Sequence, residues 1–240
     1  MKRLLFLTIL SLSLTVKAQT VPPLKITHLT GNFYVYTTWR TLDAGPYPAN
    51  SMYLVAPSGI VMFDTPWDTT QFQPFMDSLE QRYHKKVLFS ISTHFHADRT
   101  AGIDFLKSKG VRTYSSKMTY DLCKEHHEKQ AQYYFTKDTT FTVDGYTIEA
   151  YYPGPGHTKD NIVVWMSKDK VLYGACFVKS TDTKDLGYTD DADVKAWPAS
   201  IKNVMNHCPN PAYVIPGHEG WDNNKSLQHT LFLLKESSKE

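Results

Sequence analysis

The segment His94-Phe95-His96-Ala97-Asp98-Arg99 constrains this chain more than any other. It follows Val87-Leu88-Phe89-Ser90-Ile91, an apolar run bounded by Ser92 and Thr93, and that pattern predicts a buried strand. The hexamer is then expected as a loop at the strand's end. Alternate positions on such a loop bring two imidazoles and a carboxylate toward one point. Both groups are zinc ligands, and water activated by zinc is a strong nucleophile at neutral pH. A fold that uses this segment must bring more ligands to the same edge.

Three other segments carry ligand-type residues just beyond expected strands. They are Gly154-Pro155-Gly156-His157-Thr158, Tyr173-Gly174-Ala175-Cys176 and Pro216-Gly217-His218-Glu219-Gly220. Glycine and proline beside His157 and His218 suit tight turns that aim a side chain. The six candidates divide into two sets. His94, His96 and His157 make a three-histidine site with an open fourth position, the arrangement that lowers the pKa of bound water to ~7. Asp98, Cys176 and His218 make a second site, whose thiolate and carboxylate balance a dication. Two zinc ions per chain, ~3.5–4 Å apart, would then share one hydroxide. His28, His84, His126, His127, His207 and His229 lack such settings and read as surface or packing residues.

The remaining pattern predicts strands and helices in both halves of the chain. Apolar runs at 33–36, 52–55, 60–64, 111–114, 162–165, 171–173 and 213–215 read as strands, and Asp144-Gly145 as a hairpin turn. Helical spacing appears in Phe72, Phe75, Met76 and Leu79, and further helices are expected around 103–106, 118–122, 194–205 and 227–234. Many tandem strand pairs argue for mixed sheets flanked by helices rather than a regular parallel alternation.

Residues 1–18 are set aside as a cleavable signal peptide. Lys2 and Arg3 precede a largely apolar stretch from Leu4 to Leu14, and Val16-Lys17-Ala18 offers small residues for cleavage before Gln19. The segment is too short for a membrane span. Residues 19–240 are expected as a single catalytic domain in the periplasm. Of the 26 Lys and Arg, Lys2, Arg3 and Lys17 lie in the signal, as do none of the 24 acids, so the remainder carries a formal charge of −1. That leaves no basic stripe for nucleic acid and no polybasic cluster for a membrane. Three cysteines are an odd count for an exported protein. At least one thiol is unpaired, and metal ligation gives Cys176 a reason; a Cys123–Cys208 bridge stays open at this level.

The pattern His94-x-His96-x-Asp98-Arg99, with His157, Cys176 and His218 downstream, resembles the metallo-β-lactamases, specifically the first subclass of the class B enzymes of flavobacterium-type bacteria. The likeness spans the chain after the signal and includes Asp64-Thr65-Pro66, Cys176-x-x-Lys179 and Trp197-Pro198-Ala199-Ser200. It implies an α/β fold, an αβ/βα sandwich of two mixed β-sheets flanked by helices, with both zinc ions at one edge. It implies hydrolysis of penicillins, cephalosporins and carbapenems by a zinc-bound hydroxide, hence β-lactam resistance, with the small-molecule β-lactam as partner; nothing in the sequence demands more than a monomer.

The resemblance also assigns roles. Asp98 orients the nucleophile, and Lys179 anchors the substrate carboxylate. Arg99 lies beneath the second site with Asp64 as its partner; a surface salt bridge is the alternative for Arg99. The excursion from Trp39 to Asn50 matches a substrate-covering flap, with Trp39 and Tyr47 against the variable groups of the lactam. Tyr188 stands where the family often has an oxyanion-assisting asparagine, so it is assigned to substrate binding and the oxyanion to the metal. Thioesterases, lactonases and phosphoesterases of the same fold are the nearest alternative, but usually carry histidine where this chain has Arg99 and aspartate where it has Cys176. A zinc-buffering protein is the other, and the His-rich tract typical of one is lacking here.

Overall fold

Apolar runs without alternation become strands covered on both faces, and a computed structural model describing residues 22–239 shows such strands, Gly59–Phe63 and Val171–Ala175 among them, in the interiors of two sheets. The segment read as a signal peptide lies outside the described residues. Strands β1 (Lys25–Thr30), β2 (Phe33–Leu42), β3 (Gly45–Ala56) and β4 (Gly59–Phe63) form an antiparallel meander. Strands β5 (Val87–Ser92), β6 (Arg112–Ser116) and β7 (Tyr133–Phe135) continue it in parallel, giving a seven-stranded sheet in the order β1 to β7. The second sheet has the order β12-β11-β10-β9-β8. Here β8 (Thr139–Val143), β9 (Tyr146–Tyr151), β10 (Val163–Met166) and β11 (Val171–Ala175) are antiparallel, and β12 (Tyr213–Pro216) lies parallel to β11.

Parallel neighbours cannot be joined by a tight turn, so helices make the crossings. They are α1 (Phe72–Tyr83), α2 (Ala97–Thr100), α3 (Ile103–Ser108), α4 (Lys117–Glu125) and α5 (Trp197–His207), while α6 (Ser226–Ser237) follows the last strand. Side-chain alternation then sorts the core into three layers. Val61, Phe63 and Ile91 meet Val164, Tyr173 and Ile215 between the sheets. Ile60 and Met62 point outward onto Phe75, Leu79 and Leu106. On the far side, Val163 and Leu172 pack against Trp197, Ile201 and Leu234. The layers read αβ/βα, as the resemblance implies.

Three local expectations change. The ligand segment is not all loop: Arg99 N–H donates to His96 O (2.9 Å) and Ala101 N–H to Ala97 O (2.9 Å), closing the one-turn helix α2 around Asp98 and Arg99. Helix α5 begins at Trp197, with Pro198 in its first turn where a missing N–H costs nothing. Strand β7 has no separate signal in its three residues, because only its pairing with β6 defines it. All three cysteines are free and buried, so the open Cys123–Cys208 bridge is absent. Burial pushes the Cys123 and Cys208 thiols up to about 12, which keeps them protonated. Among the described residues no helix is long and apolar enough to cross a membrane.

Trp197 ties the second helical layer to the turn bearing His157. It is fully buried, its Nε1 donates to Phe177 O (3.0 Å), and its ring lies 5.9 Å from His157. Trp197→Ala is expected to cost about 3–5 kcal/mol in urea unfolding, and Trp197→Phe only about 1–2 kcal/mol. Equal losses for the two variants would contradict this packing role.

Candidate metal centre

All six sequence-predicted ligands meet at one edge of the sandwich, at the carboxyl ends of β5 and β11 and in the turns after β9 and β12. The donor atoms fall into overlapping groups, each within 4.8 Å: His94, His96 and Asp98; His94, His157 and Cys176; Asp98, Cys176 and His218. The rings of His94, His96 and His157 stand 5.0 Å apart pairwise and nearly perpendicular, at 76°, 88° and 84°. In the other set, Cys176 Sγ lies 3.2 Å from both Asp98 Oδ2 and His218 Nε2.

The backbone is bent to aim these groups. Ala175 (φ 46°), immediately before Cys176, and Glu219 (φ 60°), immediately after His218, occupy the left-handed region that ordinary residues avoid. Gly217 is needed for another reason: a Cβ there would sit 2.6 Å from Cys176 N and 2.8 Å from its sulfur. The turns after β11 and β12 therefore approach more closely than any side chain permits.

Hydrogen bonds fix which nitrogen is free in His218 and His96. His218 Nδ1 donates to Pro48 O (2.7 Å), leaving Nε2 toward Cys176 and Asp98. His96 Nε2 donates to Asp191 Oδ2 (2.9 Å), leaving Nδ1 only 3.2 Å from His157 Nε2. Thr93 Oγ1 contacts His94 Nδ1 (3.2 Å), and His94 Nε2 is buried with no partner. Burial holds His94 and His157 well below the usual imidazole range, so both rings are neutral. The lone pair of His96 Nδ1, 3.2 Å from His157 Nε2, is taken up either by an N–H of that ring or by a cation. Burial opposes ionisation of Asp98, but Arg99 and His218 outweigh it and hold the carboxyl well below the usual range. Burial likewise pushes the Cys176 thiol up, with Arg99 opposing, so its thiolate calls for a further positive charge. This donor set fits divalent metal, and imidazole with thiolate suits zinc.

Arg99 is no surface salt bridge; it is wholly buried. Its Nε donates to Asp98 Oδ2 (3.0 Å), one terminal nitrogen to Asn50 O (2.7 Å) and Tyr173 Oη (2.9 Å), and the other to Gly217 O (2.9 Å). Asp64, 3.6 Å away, accepts from Tyr173 Oη (2.6 Å), Thr93 N (2.7 Å) and Thr93 Oγ1 (2.9 Å). Burial pushes Asp64 up to about 6 against the pull of Arg99 and these donors, so it remains a carboxylate at pH 7.

A cleft of about 640 Å³ opens over the ligands, lined among others by Tyr47, Trp67, Asp98, His157, Lys179 and Tyr188. Lys179 is buried, with Nζ 5.3 Å from the Trp197 ring centre. Burial lowers its pKa, and Cys176, Asp98 and Asp185 counter that shift. Tyr188 is exposed at the rim, its ring 5.6 Å from His96. Trp39 takes no part in the lining; its neighbour Arg40 occupies the facing position, and strand alternation turns Trp39 to the other side of the flap.

Sequence reasoning did not find Asp191, Tyr173 or Asn50. Asp191 lies in a long polar loop without periodicity, Tyr173 reads as an ordinary strand residue, and Asn50 as the end of the flap excursion. Nor did it place His126 at the cleft, where its ring lies 4.5 Å from Phe95.

Removing Arg99 leaves two buried carboxylates without their counter-charge. Arg99→Met is expected to destabilise the metal-free protein by about 3–5 kcal/mol in urea unfolding and to weaken metal uptake. A change below about 1 kcal/mol would contradict the buried-pair account.

Comparison with known proteins agrees with this geometry. Residues 44–218 match the model of the metallo-beta-lactamase superfamily. A metallo-beta-lactamase type 2 of Elizabethkingia meningoseptica is 42% identical over 239 residues, 98% of this chain and 96% of the relative. Metallo-beta-lactamase IND-1 of Chryseobacterium indologenes is 35% identical, over 89% of this chain and 87% of that one. The solved structure of a metallo-beta-lactamase from Pontibacter korlensis superposes with a TM-score of 0.86 at 32% identity, covering 88% of this chain and 99% of that one. With this much of the chain matched, and with ligand donors gathered where such a site requires them, the chain belongs to the metallo-β-lactamase superfamily.

Proposed function

We propose that the protein is a zinc-dependent β-lactamase of the first class B subclass, holding two zinc ions and opening the lactam ring of penicillins, cephalosporins and carbapenems. The observation that carries this reading is the pairing of Cys176 with Asp98 and His218 above a buried Arg99, beside three neutral imidazoles. His94, His96 and His157 would hold one ion, and Asp98, Cys176 and His218 the other. When bound, zinc supplies a water nucleophile of lowered pKa and a Lewis acid for the carbonyl and the leaving nitrogen.

The chain's own residues do the rest. Arg99, Cys176 and His218 crowd Asp98 Oδ2, which leaves Oδ1 to orient the attacking water. Lys179 Nζ binds the carboxylate beside the lactam ring. Its recess is shared with Tyr47, Cys176, Asp185 and Gly187, so an anion there sits close to the second ligand set. The flap of β2 and β3 excludes water from above, and Tyr47, 4.9 Å from His218, contacts the bound ring. Tyr188 contacts the substrate from the opposite rim.

The remaining assignments follow the same reading. Residues 1–18 are a signal peptide, residues 19–240 are one catalytic domain, and the mature enzyme acts as a monomer in the periplasm. A thioesterase or phosphoesterase is disfavoured by Arg99 and Cys176.

Purified protein is expected to hydrolyse the chromogenic cephalosporin nitrocefin and a carbapenem, to lose both activities with a chelator and to regain them with added zinc. Activity that persists after complete demetallation would contradict the proposal. Lys179→Ala is expected to raise KM by about tenfold or more while zinc content stays constant. An unchanged KM would remove Lys179 from substrate binding.

A further inference from the structure

The flap brings a positive charge to the cleft that neither the ligand sets nor Lys179 accounts for. Strands β2 and β3 pair with Arg40 opposite Tyr47 and Leu42 opposite Gly45. Directly opposed residues share a face, and Arg40, Leu42 and Tyr47 all line the cleft. Tyr47 fixes which way that face turns, because its ring lies 4.9 Å from that of His218, tilted by 31°. Arg40 is exposed, and its guanidinium carbon lies 5.5 Å from the centre of the Trp67 ring. Trp67 in turn meets His218 edge-on at 6.2 Å. No carboxylate pairs with Arg40 among the described residues. A guanidinium held over an aromatic face is partly fixed in orientation, yet its in-plane N–H donors stay available for a carboxylate or sulfonate.

Lys179 lines the cleft together with Arg40, but it also reaches a recess with Cys176, Asp185 and Gly187 that Arg40 does not line. The acids Glu128 and Asp191 line the cleft as well, and Asp191 is turned to His96. An anion on the substrate's far end therefore gains from the flap side and is repelled by those acids.

We propose that Arg40 is a specificity-determining residue that recognises a second anionic group, a carboxylate or sulfonate on the acyl side chain of the lactam, while Lys179 takes the ring carboxylate. The inference rests on the β-lactam reading above. Its contact lies at the solvent rim, so its effect is modest and sensitive to salt.

Benzylpenicillin and carbenicillin differ by one carboxylate on the acyl side chain and make the test direct. The ratio of kcat/KM for carbenicillin to that for benzylpenicillin is measured with zinc-loaded wild type, Arg40→Ala and Arg40→Lys at low and moderate ionic strength. Arg40→Ala is expected to lower the ratio about fivefold, mainly through KM for carbenicillin, with Arg40→Lys between the two. Added salt is expected to shrink the wild-type ratio toward that of Arg40→Ala. An equal ratio in wild type and Arg40→Ala overturns the role of Arg40 and leaves the β-lactam reading intact. A zinc-loaded wild type that opens neither penicillin overturns that reading, and this inference with it.

Discussion

One buried guanidinium holds this site together. Arg99 comes from the single turn of α2, yet its donors reach the carbonyl of Asn50 on β3, the hydroxyl of Tyr173 on β11 and the carbonyl of Gly217 after β12. It therefore joins the two sheets at the edge where their strands end. A charge so deeply buried is costly unless paired and fully hydrogen-bonded. Asp98 and Asp64 supply the pairing, and the carbonyls and hydroxyl take up the remaining donors. Lysine has neither the planar fork nor the number of donors for this arrangement. The same contact that stabilises the edge also sets Asp98 Oδ2 against Cys176 and His218.

From that clamp the chemistry divides by electrostatics. His94 and His157 are kept neutral by burial, as metal ligands must be, and Nε2 of His94 is left without a hydrogen-bond partner. The Asp98 and Cys176 set carries the negative charge, supported from below by Arg99. Asp191 and Pro48 lie outside the ligands and choose the tautomers of His96 and His218 through single hydrogen bonds. Partners of this kind orient a ligand and raise its basicity. Because Pro48 belongs to the flap, the wall over the substrate and the ring of His218 are mechanically connected.

The ligand residues were legible in the sequence because their chemistry is rare and their spacing local. His94, His96 and Asp98 crowd one segment, while His157 and His218 stand among glycines and prolines that announce tight turns. The strands were legible for a similar reason: runs such as Val87 to Ile91 have a single plausible use. What escaped was set by three-dimensional pairing alone. Tyr173 is one more apolar strand residue until it is seen facing Asp64. Asp191 sits in a loop with no periodicity, so nothing in its neighbours marks it as the partner of His96. The choice between Trp39 and Arg40 turns on strand register, and a shift of one residue exchanges the two faces. The helical turn α2 escaped because four residues are too few to show a period.

The central claim is that six side chains from four separated stretches hold a pair of divalent ions and that lactam hydrolysis depends on them. Native mass spectrometry of reduced, metal-free protein during zinc titration, with nitrocefin turnover followed in the same samples, tests it most directly. The account predicts saturation at two ions per chain, with turnover absent from the metal-free protein and rising as the sites fill. Folded, reduced protein that takes up no zinc, or that opens the lactam at full rate without it, would contradict the account.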